Sequence, residues 1–179
     1  MEERIKRIVL GGGCFWCLEP IFNKMAGVEK VIVGYAGGNT PNPSYEQVCT
    51  GRTGHAEVVE ITYDPAVISI NGLLEVFFQV HDPTTLNRQG ADVGSQYRSI
   101  ILANDESEKE KVNEILEKID QSGLWGKKIV TQIEILKDFY PAEEYHQNYF
   151  EKNPWAGYCQ VVINPKVKKF KENFSELLK

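Results

Sequence analysis

The side chains most able to do chemistry in this sequence are its four cysteines. Cys14 and Cys17 form a C-x-x-C pair within residues 11–17, which read GGGCFWC. A thiol attacks only as thiolate, and a helix that begins near Cys14 would place unpaired backbone N–H groups beside its sulfur, which favours the negative charge. The neighbouring Phe15 and Trp16 could form an apolar wall for a small nonpolar group. This segment therefore predicts a reactive thiol at Cys14.

The C-x-x-C pair has three interpretations: a thioredoxin-like dithiol, half of a zinc site, or a nucleophile followed by an incidental second cysteine. A zinc site normally needs a second pair of Cys or His residues at short spacing. The other candidates are scattered singly, at Cys49, His55, His81, His146 and Cys159. We therefore expect no metal. A disulfide oxidoreductase that uses both cysteines of the pair, and a nonenzymatic metal- or ligand-binding domain, remain as alternative functions.

Length and composition are those of one globular domain, which we interpret as a single catalytic domain over residues 1–179. The formal charge of -5 argues against nucleic-acid binding. The sequence lacks an apolar run of about 18 residues for a membrane span, and residues 1–10 are too short for a signal peptide. Four cysteines are too few for a disulfide-stapled scaffold. We therefore expect a monomer in the reducing cytoplasm.

Apolar spacing along the chain predicts a protein that mixes helices and strands. A strand that ends at the three glycines and a helix after Cys14 are followed by strands over 28–35 and 56–63. A helix capped by Ser69 and a strand over 97–102 complete the order β-α-β-β-α-β. This order is the split unit of ferredoxin-like folds. We therefore predict an α+β fold with a ferredoxin-like βαββαβ core.

Further elements and two long polar loops surround this predicted core. We expect an amphipathic helix around 112–119, a strand over 129–136, a helix over 142–152 and a helix in the C-terminal tail. The loops over 36–54 and 82–96 are longer than a compact domain usually contains unless they serve a function. We therefore expect both loops to carry site residues.

Several motifs resemble those of the A-type peptide-methionine sulfoxide reductases. They begin with GCFW at residues 13–16 and continue in the family's order over nearly the whole chain, between about residues 8 and 165. Several of them fall in the two long loops. The further blocks are GYAGG at 34–38, PSY at 43–45, TGHAEV at 53–58, DVGSQYR at 92–98 and YHQ at 145–147.

The resemblance implies reduction of methionine S-sulfoxide, free or within proteins, without a cofactor. Cys14 would attack the sulfoxide sulfur and become a sulfenic acid. Glu57 would protonate the leaving oxygen, since a carboxyl group can hold a proton at neutral pH if burial raises its pKa. Tyr45 and Tyr97 would donate hydrogen bonds to the same oxygen. Asp92 would organise the floor of the site.

The family pattern also implies that Phe15 and Trp16 hold the methyl group of the substrate. From the residues alone, each position has a plainer explanation. The two aromatic rings could simply pack into the core, and Glu57 could be an ordinary exposed carboxylate at the start of a strand. For His55 and His146 we expect structural hydrogen bonds and no catalytic role.

A sulfenic acid normally condenses with a second thiol, and an external dithiol then reduces the disulfide. Cys159 is similar to the family's resolving cysteine in a mobile C-terminal segment, although residues 161–165 look strand-like. Cys17 is the other candidate, but a bridge to Cys14 across one helical turn could be strained. For Cys49, which follows an apolar residue, we expect a buried and inert thiol. We favour Cys159, with thioredoxin as the reductant.

Overall fold

The computed structural model describes residues 4–179. Residues 1–3 lie outside the described residues; they belong to the segment 1–10 that we interpret as too short for a signal peptide. Within 4–179, no helix is both long enough and apolar enough to cross a membrane. The same part of the chain contains no cluster of three or more His, Cys, Asp or Glu side chains that could hold a metal ion.

Strands and helices follow one another along the described chain. The strands are β1 (Lys6–Gly11), β2 (Val28–Ala36), β3 (Ala56–Tyr63), β4 (Arg88–Gln89), β5 (Asp92–Val93), β6 (Ile100–Ala103), β7 (Gln132–Ile135) and β8 (Phe139–Pro141). The helices are α1 (Phe15–Asn23), α2 (Tyr45–Cys49), α3 (Ile70–Val80), α4 (Glu106–Gln121), α5 (Tyr149–Lys152) and α6 (Asn164–Asn173).

A 6-stranded sheet with the order β7-β6-β1-β3-β2-β8 forms the centre of the fold. Its middle strands run in the order β6-β1-β3-β2, and each is antiparallel to its neighbour. Helix α1 connects β1 to β2, and α3 lies between β3 and β6 in the chain. This is the arrangement of a ferredoxin-like βαββαβ unit, so the predicted fold class is confirmed. At the edges, β7 adds parallel to β6 and β8 adds antiparallel to β2.

The helices and one face of the sheet enclose the main hydrophobic core. Strand β3 contributes Val59, Ile61 and Tyr63 to this core. These residues alternate because successive side chains of a strand point to opposite faces of the sheet. The opposite face carries a smaller cluster that includes Val58. By the same alternation, Glu57 lies on the face of the main core.

The helix predicted over 142–152 is wrong. Strand β8 ends at Pro141, a single turn of 3-10 helix covers Glu144–His146, and only Tyr149–Lys152 is α-helical. Asn148 has a left-handed backbone conformation with φ 57°, which interrupts a continuous helix at this point. The chain therefore crosses this region in short pieces that lie next to β2 and α1.

The strand-like character of residues 161–165 is also not observed. A π-helical turn over Cys159–Ile163 leads directly into α6. Ile163 and Val167 are buried four positions apart, which is the spacing of one helix face. The β-branched residues in this segment therefore pack as part of a helix.

Both long loops contain structure that their composition did not predict. Helix α2 lies within 36–54, and the β4–β5 ribbon lies within 82–96. The strand predicted over 97–102 begins only at Ile100, because Ser95–Tyr97 forms a turn of 3-10 helix. The two loops also contact each other, since the side chains of Ser95 and Gln96 donate hydrogen bonds at 3.5 Å to the backbone carbonyls of Gly51 and Cys49.

Gly38 offers a test of how tightly the loop after β2 is packed. A Cβ at this position would overlap backbone atoms of His55, Gly54 and Thr53. We expect Gly38→Ala to lower the free energy of unfolding in urea by about 1–3 kcal/mol, as overpacking does. Gly157 is the matched control, because a Cβ there would meet nothing within 4 Å. Gly157→Ala is expected to change the free energy of unfolding by less than about 1 kcal/mol, and equal losses in both variants would contradict the prediction.

Candidate active site

Cys14 lies at the turn between β1 and α1, where it is the N-cap residue of the helix (φ -65°, ψ 131°). The turn needs glycine before it, because Gly13 has φ +88° and a Cβ there would overlap the side chain of Gln89. Burial, followed by the charge of Glu57, raises the pKa of Cys14 well above its ordinary value. The backbone N–H of Trp16 lowers this pKa. The expected effect of the helix start is therefore present, but burial outweighs it.

Glu57 is the second reactive group that the fold brings to this point. It is 1% exposed, and its Oε1 accepts a hydrogen bond from the backbone N–H of Phe15 at 3.2 Å. Burial raises the pKa of Glu57 to about 8, although the Phe15 N–H and the Cys14 side chain lower it. This carboxyl group is therefore mostly protonated at neutral pH. The plainer explanation, an exposed carboxylate, is wrong, and the sequence contains the signal: Glu57 alternates in phase with the apolar residues Val59 and Ile61.

Tyr45, from the first long loop, and Tyr97, from the 3-10 turn that follows the second, both lie close enough to Glu57 for its charge to act on their hydroxyl groups. Tyr45 begins α2, and its backbone N–H donates to Glu143 at 3.0 Å. The backbone carbonyl of Tyr97 accepts a hydrogen bond from the N–H of Gly13 at 3.1 Å. Burial raises the pKa of both phenols, and the charge of Glu57 adds to the shift in each. Both hydroxyl groups therefore keep their protons and can donate hydrogen bonds.

Asp92 lies at the start of the β5 strand and is tied to the C-terminal part of the chain. Its Oδ2 accepts a hydrogen bond from the hydroxyl of Tyr158 at 2.8 Å. The same hydroxyl lies 3.6 Å from Cys17 Sγ. The charge of Asp92 raises the pKa of both Glu57 and Cys14. Tyr158 was missed from the sequence, where its only signal is a place beside a candidate cysteine.

Trp16 lies within a cluster of aromatic rings. Tyr149, which the sequence did not identify, stacks on it with ring centroids 3.7 Å apart and planes inclined by 8°. The indole N–H of Trp16 donates to His146 Nδ1 at 3.1 Å, so the structural hydrogen bond expected for His146 is confirmed. Phe15 is fully buried and packs 5.8 Å from Tyr35, centroid to centroid. Of the two aromatic residues after the cysteine, only Trp16 keeps partial exposure.

His55 also has the structural role expected for it. Its Nδ1 accepts a hydrogen bond from the backbone N–H of Gly38 at 3.0 Å, and its Nε2 lies 2.7 Å from the carbonyl oxygen of Thr40. Both contacts tie the loop after β2 to the start of β3. The loop that leads to α2 therefore has a defined position.

The four cysteines are all free thiols, but their surroundings differ. Cys17 lies in the first turn of α1, where its backbone N–H donates to the carbonyl of Cys14 at 3.0 Å. Cys159 is fully buried in the main core. The buried thiol expected at Cys49 is wrong: this residue ends the short α2 helix and is exposed. The apolar side of α2 is Val48, which is fully buried in its place.

Together these groups form a site with two distinct halves. One half consists of a thiol, a protonated carboxyl group and two phenols, which can surround a small polar oxygen atom with proton donors. The other half is the half-buried face of Trp16 with its stacked neighbour, which suits a small apolar group. A substrate with a polar oxygen and an apolar substituent on one reactive atom fits this arrangement.

Comparison with known proteins agrees with this chemistry. The model of a family described as peptide methionine sulfoxide reductase matches residues 6–178. A protein of Nautilia profundicola named peptide methionine sulfoxide reductase MsrA is 59% identical over 164 residues, which cover 92% of this chain and 93% of the relative. A protein of the same name from Natronomonas pharaonis is 56% identical over 167 residues, 93% of this chain and 94% of the relative.

Solved structures show the same similarity in three dimensions. Reduced Mxr1 from Saccharomyces cerevisiae is 40% identical with a TM-score of 0.79, over 89% of this chain and 91% of that one. Methionine sulfoxide reductase A of Corynebacterium diphtheriae is 39% identical with a TM-score of 0.81, over 86% and 77%. Yeast Mxr1 in complex with Trx2 is 30% identical with a TM-score of 0.57, over 83% and 87%. The resemblance seen in the sequence is confirmed: this chain belongs to the A-type peptide methionine sulfoxide reductases, enzymes that reduce methionine sulfoxide.

Proposed function

We propose that this enzyme repairs oxidised methionine by reducing the S epimer of its sulfoxide, free or within proteins. The observation that supports this best is a buried carboxyl group, Glu57, which stays protonated beside the buried thiol of Cys14. In the proposed step the sulfur of Cys14 attacks the sulfoxide sulfur and takes over its oxygen. The products are methionine and a cysteine sulfenic acid, so the sulfoxide is reduced by the two electrons that the cysteine loses.

The oxygen of the sulfoxide needs a proton as its bond to the substrate sulfur breaks. Glu57 is the proposed donor, because its pKa of about 8 leaves it protonated at neutral pH. The hydroxyls of Tyr45 and Tyr97 are the proposed hydrogen-bond donors to the same oxygen. Asp92, held by Tyr158 at 2.8 Å, would keep this end of the site polar.

The other end of the site would hold the methyl group of the substrate. Trp16 is the proposed contact surface, since it is half-buried and its orientation is fixed by Tyr149 and His146. Phe15 is fully buried, so we propose that it supports the wall from behind. A methyl group on one side and an oxygen on the other would distinguish the two sulfoxide epimers, which differ in the arrangement of these groups.

The central experiment measures turnover of each purified methionine sulfoxide epimer by the wild type and by Cys14→Ser. We expect the wild type to reduce the S epimer only. We expect Cys14→Ser to lower kcat by more than about 1,000-fold, because the nucleophile is lost. Comparable activity of the two proteins would remove the assignment of Cys14. Reduction of both epimers at similar rates would remove the assignment of stereospecificity.

The pH dependence of activity tests Glu57 as the proton donor. Cys14 attacks as thiolate while Glu57 gives up a proton, so the reactive form of the pair carries one proton, on Glu57. Because the pKa of Glu57 is about 8 and that of Cys14 is raised well above its ordinary value, kcat of the wild type should rise as the pH approaches about 8 and fall at higher pH, where both groups lose their protons. Glu57→Gln keeps the shape but cannot give up a proton, so we expect a loss in kcat of about 10²–10⁴-fold and no fall of kcat at high pH. The charge of Glu57 raises the pKa of Cys14, so alkylation of Cys14 by iodoacetamide should begin at lower pH in Glu57→Gln. An unchanged alkylation profile would contradict the coupling of the two groups.

For the recycling step, the structure supports Cys17 more than the Cys159 favoured from the sequence. Cys17 lies close enough to Cys14 for its negative charge to raise the pKa of Cys14. Cys159 is not among the groups that act on Cys14, and its own pKa is raised by burial alone. Burial raises the pKa of Cys17, and Lys166 and the hydroxyl of Tyr158 partly offset this effect. Their condensation would form a Cys14–Cys17 disulfide and release one water molecule. Attack by Cys159 would require its helical turn to unwind first.

We propose a thioredoxin as the reductant of this disulfide. The support is the similarity to yeast Mxr1, which is seen in complex with Trx2. Cys14 and Cys17 are both buried in the reduced protein, so the reductant would reach their disulfide only after the contact between Cys17 and Tyr158 opens. Two electrons from the dithiol of the reductant would restore both cysteines.

Disulfide mapping separates the two resolving candidates. After one turnover with methionine sulfoxide and no reductant, we expect peptide masses to show a Cys14–Cys17 bridge in the wild type and in Cys159→Ser. In Cys17→Ser we expect a sulfenic acid at Cys14 that dimedone can trap. Thioredoxin with its reductase should then restore free thiols in the wild type. A Cys14–Cys159 bridge in the wild type would support the interpretation from the sequence and contradict the one from the structure.

A further inference from the structure

Glu19 is a buried carboxyl group for which the reaction described above has no use. It lies in α1, is 2% exposed, and its Oε2 has no hydrogen-bond partner among the described residues. Burying a carboxyl oxygen without a hydrogen-bond partner costs folding free energy, so the place of Glu19 in the core needs an explanation. Because Glu19 follows Trp16 by three positions in the same helix, the two side chains lie on one face of α1.

Helix α1 packs along α5, with Trp16 stacked on Tyr149 at one end and Lys24 paired with Glu151 at the other. Glu19 lies between Trp16 and Lys24 in the sequence, so its carboxyl group faces the beginning of α5. The backbone N–H groups of Asn148 and Tyr149 lower its pKa, which shows that they favour its charged form. Asn148, the N-cap residue of α5, has φ 57° and offers no side-chain cap to this short helix. Glu19 therefore brings, from another helix, a carboxyl group to N–H groups that the N-cap side chain of α5 does not bind.

The opposing contributions leave Glu19 able to titrate near neutrality. Burial raises its pKa to about 7, against the two backbone N–H groups. The other charged groups that act on it come from α5: Lys152 lowers the pKa and Glu151 raises it. Glu151 itself forms a surface salt bridge with Lys24, the C-cap residue of α1, and the distance from Lys24 Nζ to Glu151 Oε1 is 3.5 Å.

The beginning of α5 matters because it carries the ring that covers Trp16. Tyr149 stacks on the indole at 3.7 Å with an 8° angle between the planes, so a shift of α5 would break this contact. The indole is also held by its hydrogen bond to His146, which lies in the 3-10 turn Glu144–His146 and not in α5. Only the contact through Tyr149 depends on α5.

We propose that Glu19 is a positioning residue of the substrate wall, whose carboxylate holds the start of α5 so that Tyr149 stays stacked on Trp16. This inference depends on the proposed role of Trp16 as the surface that contacts the methyl group. The ionised carboxylate attracts the two backbone N–H groups more strongly than the protonated acid does. The wall is therefore better formed above the pKa of Glu19 than below it.

The test compares KM for methionine sulfoxide in the wild type and in Glu19→Gln, a neutral variant of nearly the same shape. A contact surface acts on the bound substrate and on the transition state alike, so its loss raises KM and leaves kcat unchanged. We expect KM to rise about tenfold and kcat to stay within about twofold. In the wild type, KM should fall as the pH rises through about 7, and in Glu19→Gln it should stay high at every pH.

Two further variants show whether Glu19 acts through Tyr149. Tyr149→Ala should raise KM by itself, and adding Glu19→Gln to it should change KM by less than about twofold, because the two residues act in series. Glu151→Gln is the matched control, since it removes an exposed carboxylate of α5 that is paired at the surface. At about pH 8.5, where Glu19 is ionised with or without Glu151, KM of this variant should equal that of the wild type. The assignment of the nucleophile is checked separately by Cys14→Ser, so an error there would not be confused with an error about Glu19.

An unchanged KM in Glu19→Gln would overturn the proposal, as would a tenfold effect of that substitution in the Tyr149→Ala background. If Glu19→Gln does not fold, as judged by circular dichroism, the pH profile of KM decides. The proposal is then rejected if the wild type shows no midpoint near pH 7, or if Tyr149→Ala shows the same midpoint.

Discussion

The site depends on one physical arrangement, the burial of the Glu57 carboxyl group against the first turn of α1. A buried carboxylate without compensation is unstable, and the structure offers Glu57 only one hydrogen bond from the backbone, that of Phe15 at 3.2 Å. The group therefore keeps its proton up to about pH 8. The ferredoxin-like topology makes this contact possible, because β1 lies beside β3 and delivers the start of α1 next to the start of that strand.

Everything else in the site is arranged around this contact by segments from distant parts of the chain. The first long loop brings Tyr45 near the carboxyl group, and the turn after the second loop brings Tyr97. The C-terminal segment brings Tyr158 to Asp92. The loops are held by contacts between backbone and side chain, such as the bond from Gly38 to His55. Short helices and turns therefore give the polar half of the site its defined geometry.

The elements with strong periodicity could be predicted from the sequence, and so could much of the site. The strand at 56–63 and the cap at Ser69 agree with the structure, because alternation and capping are local properties. Glu57 alternates with the same period as Val59 and Ile61, which places it on the core face of β3, although a carboxyl group at the start of a strand is ordinarily exposed.

Features that depend on tertiary contacts could not be predicted in this way. The helix expected over 142–152 is broken because β8 pairs with β2 and Asn148 turns the chain, which local propensity does not report. Tyr149 and Tyr158 join the site through contacts with residues that are far away in the sequence, at least 66 positions for Tyr158, which local patterns do not report. The exposure of Cys49 likewise follows from the short α2 helix, whose buried side is taken by Val48.

The environment of Cys14 has a consequence for how the reactive state arises. Burial and the nearby carboxyl groups raise the pKa of the thiol, so the resting site does not hold a stable thiolate beside an ionised Glu57. Two adjacent negative charges are disfavoured, and the pair therefore titrates as one coupled unit. Whenever the sulfur does become a thiolate, the same repulsion keeps Glu57 protonated. The constraint that makes the proposed nucleophile costly to form thus keeps the proposed proton donor protonated when the thiolate forms.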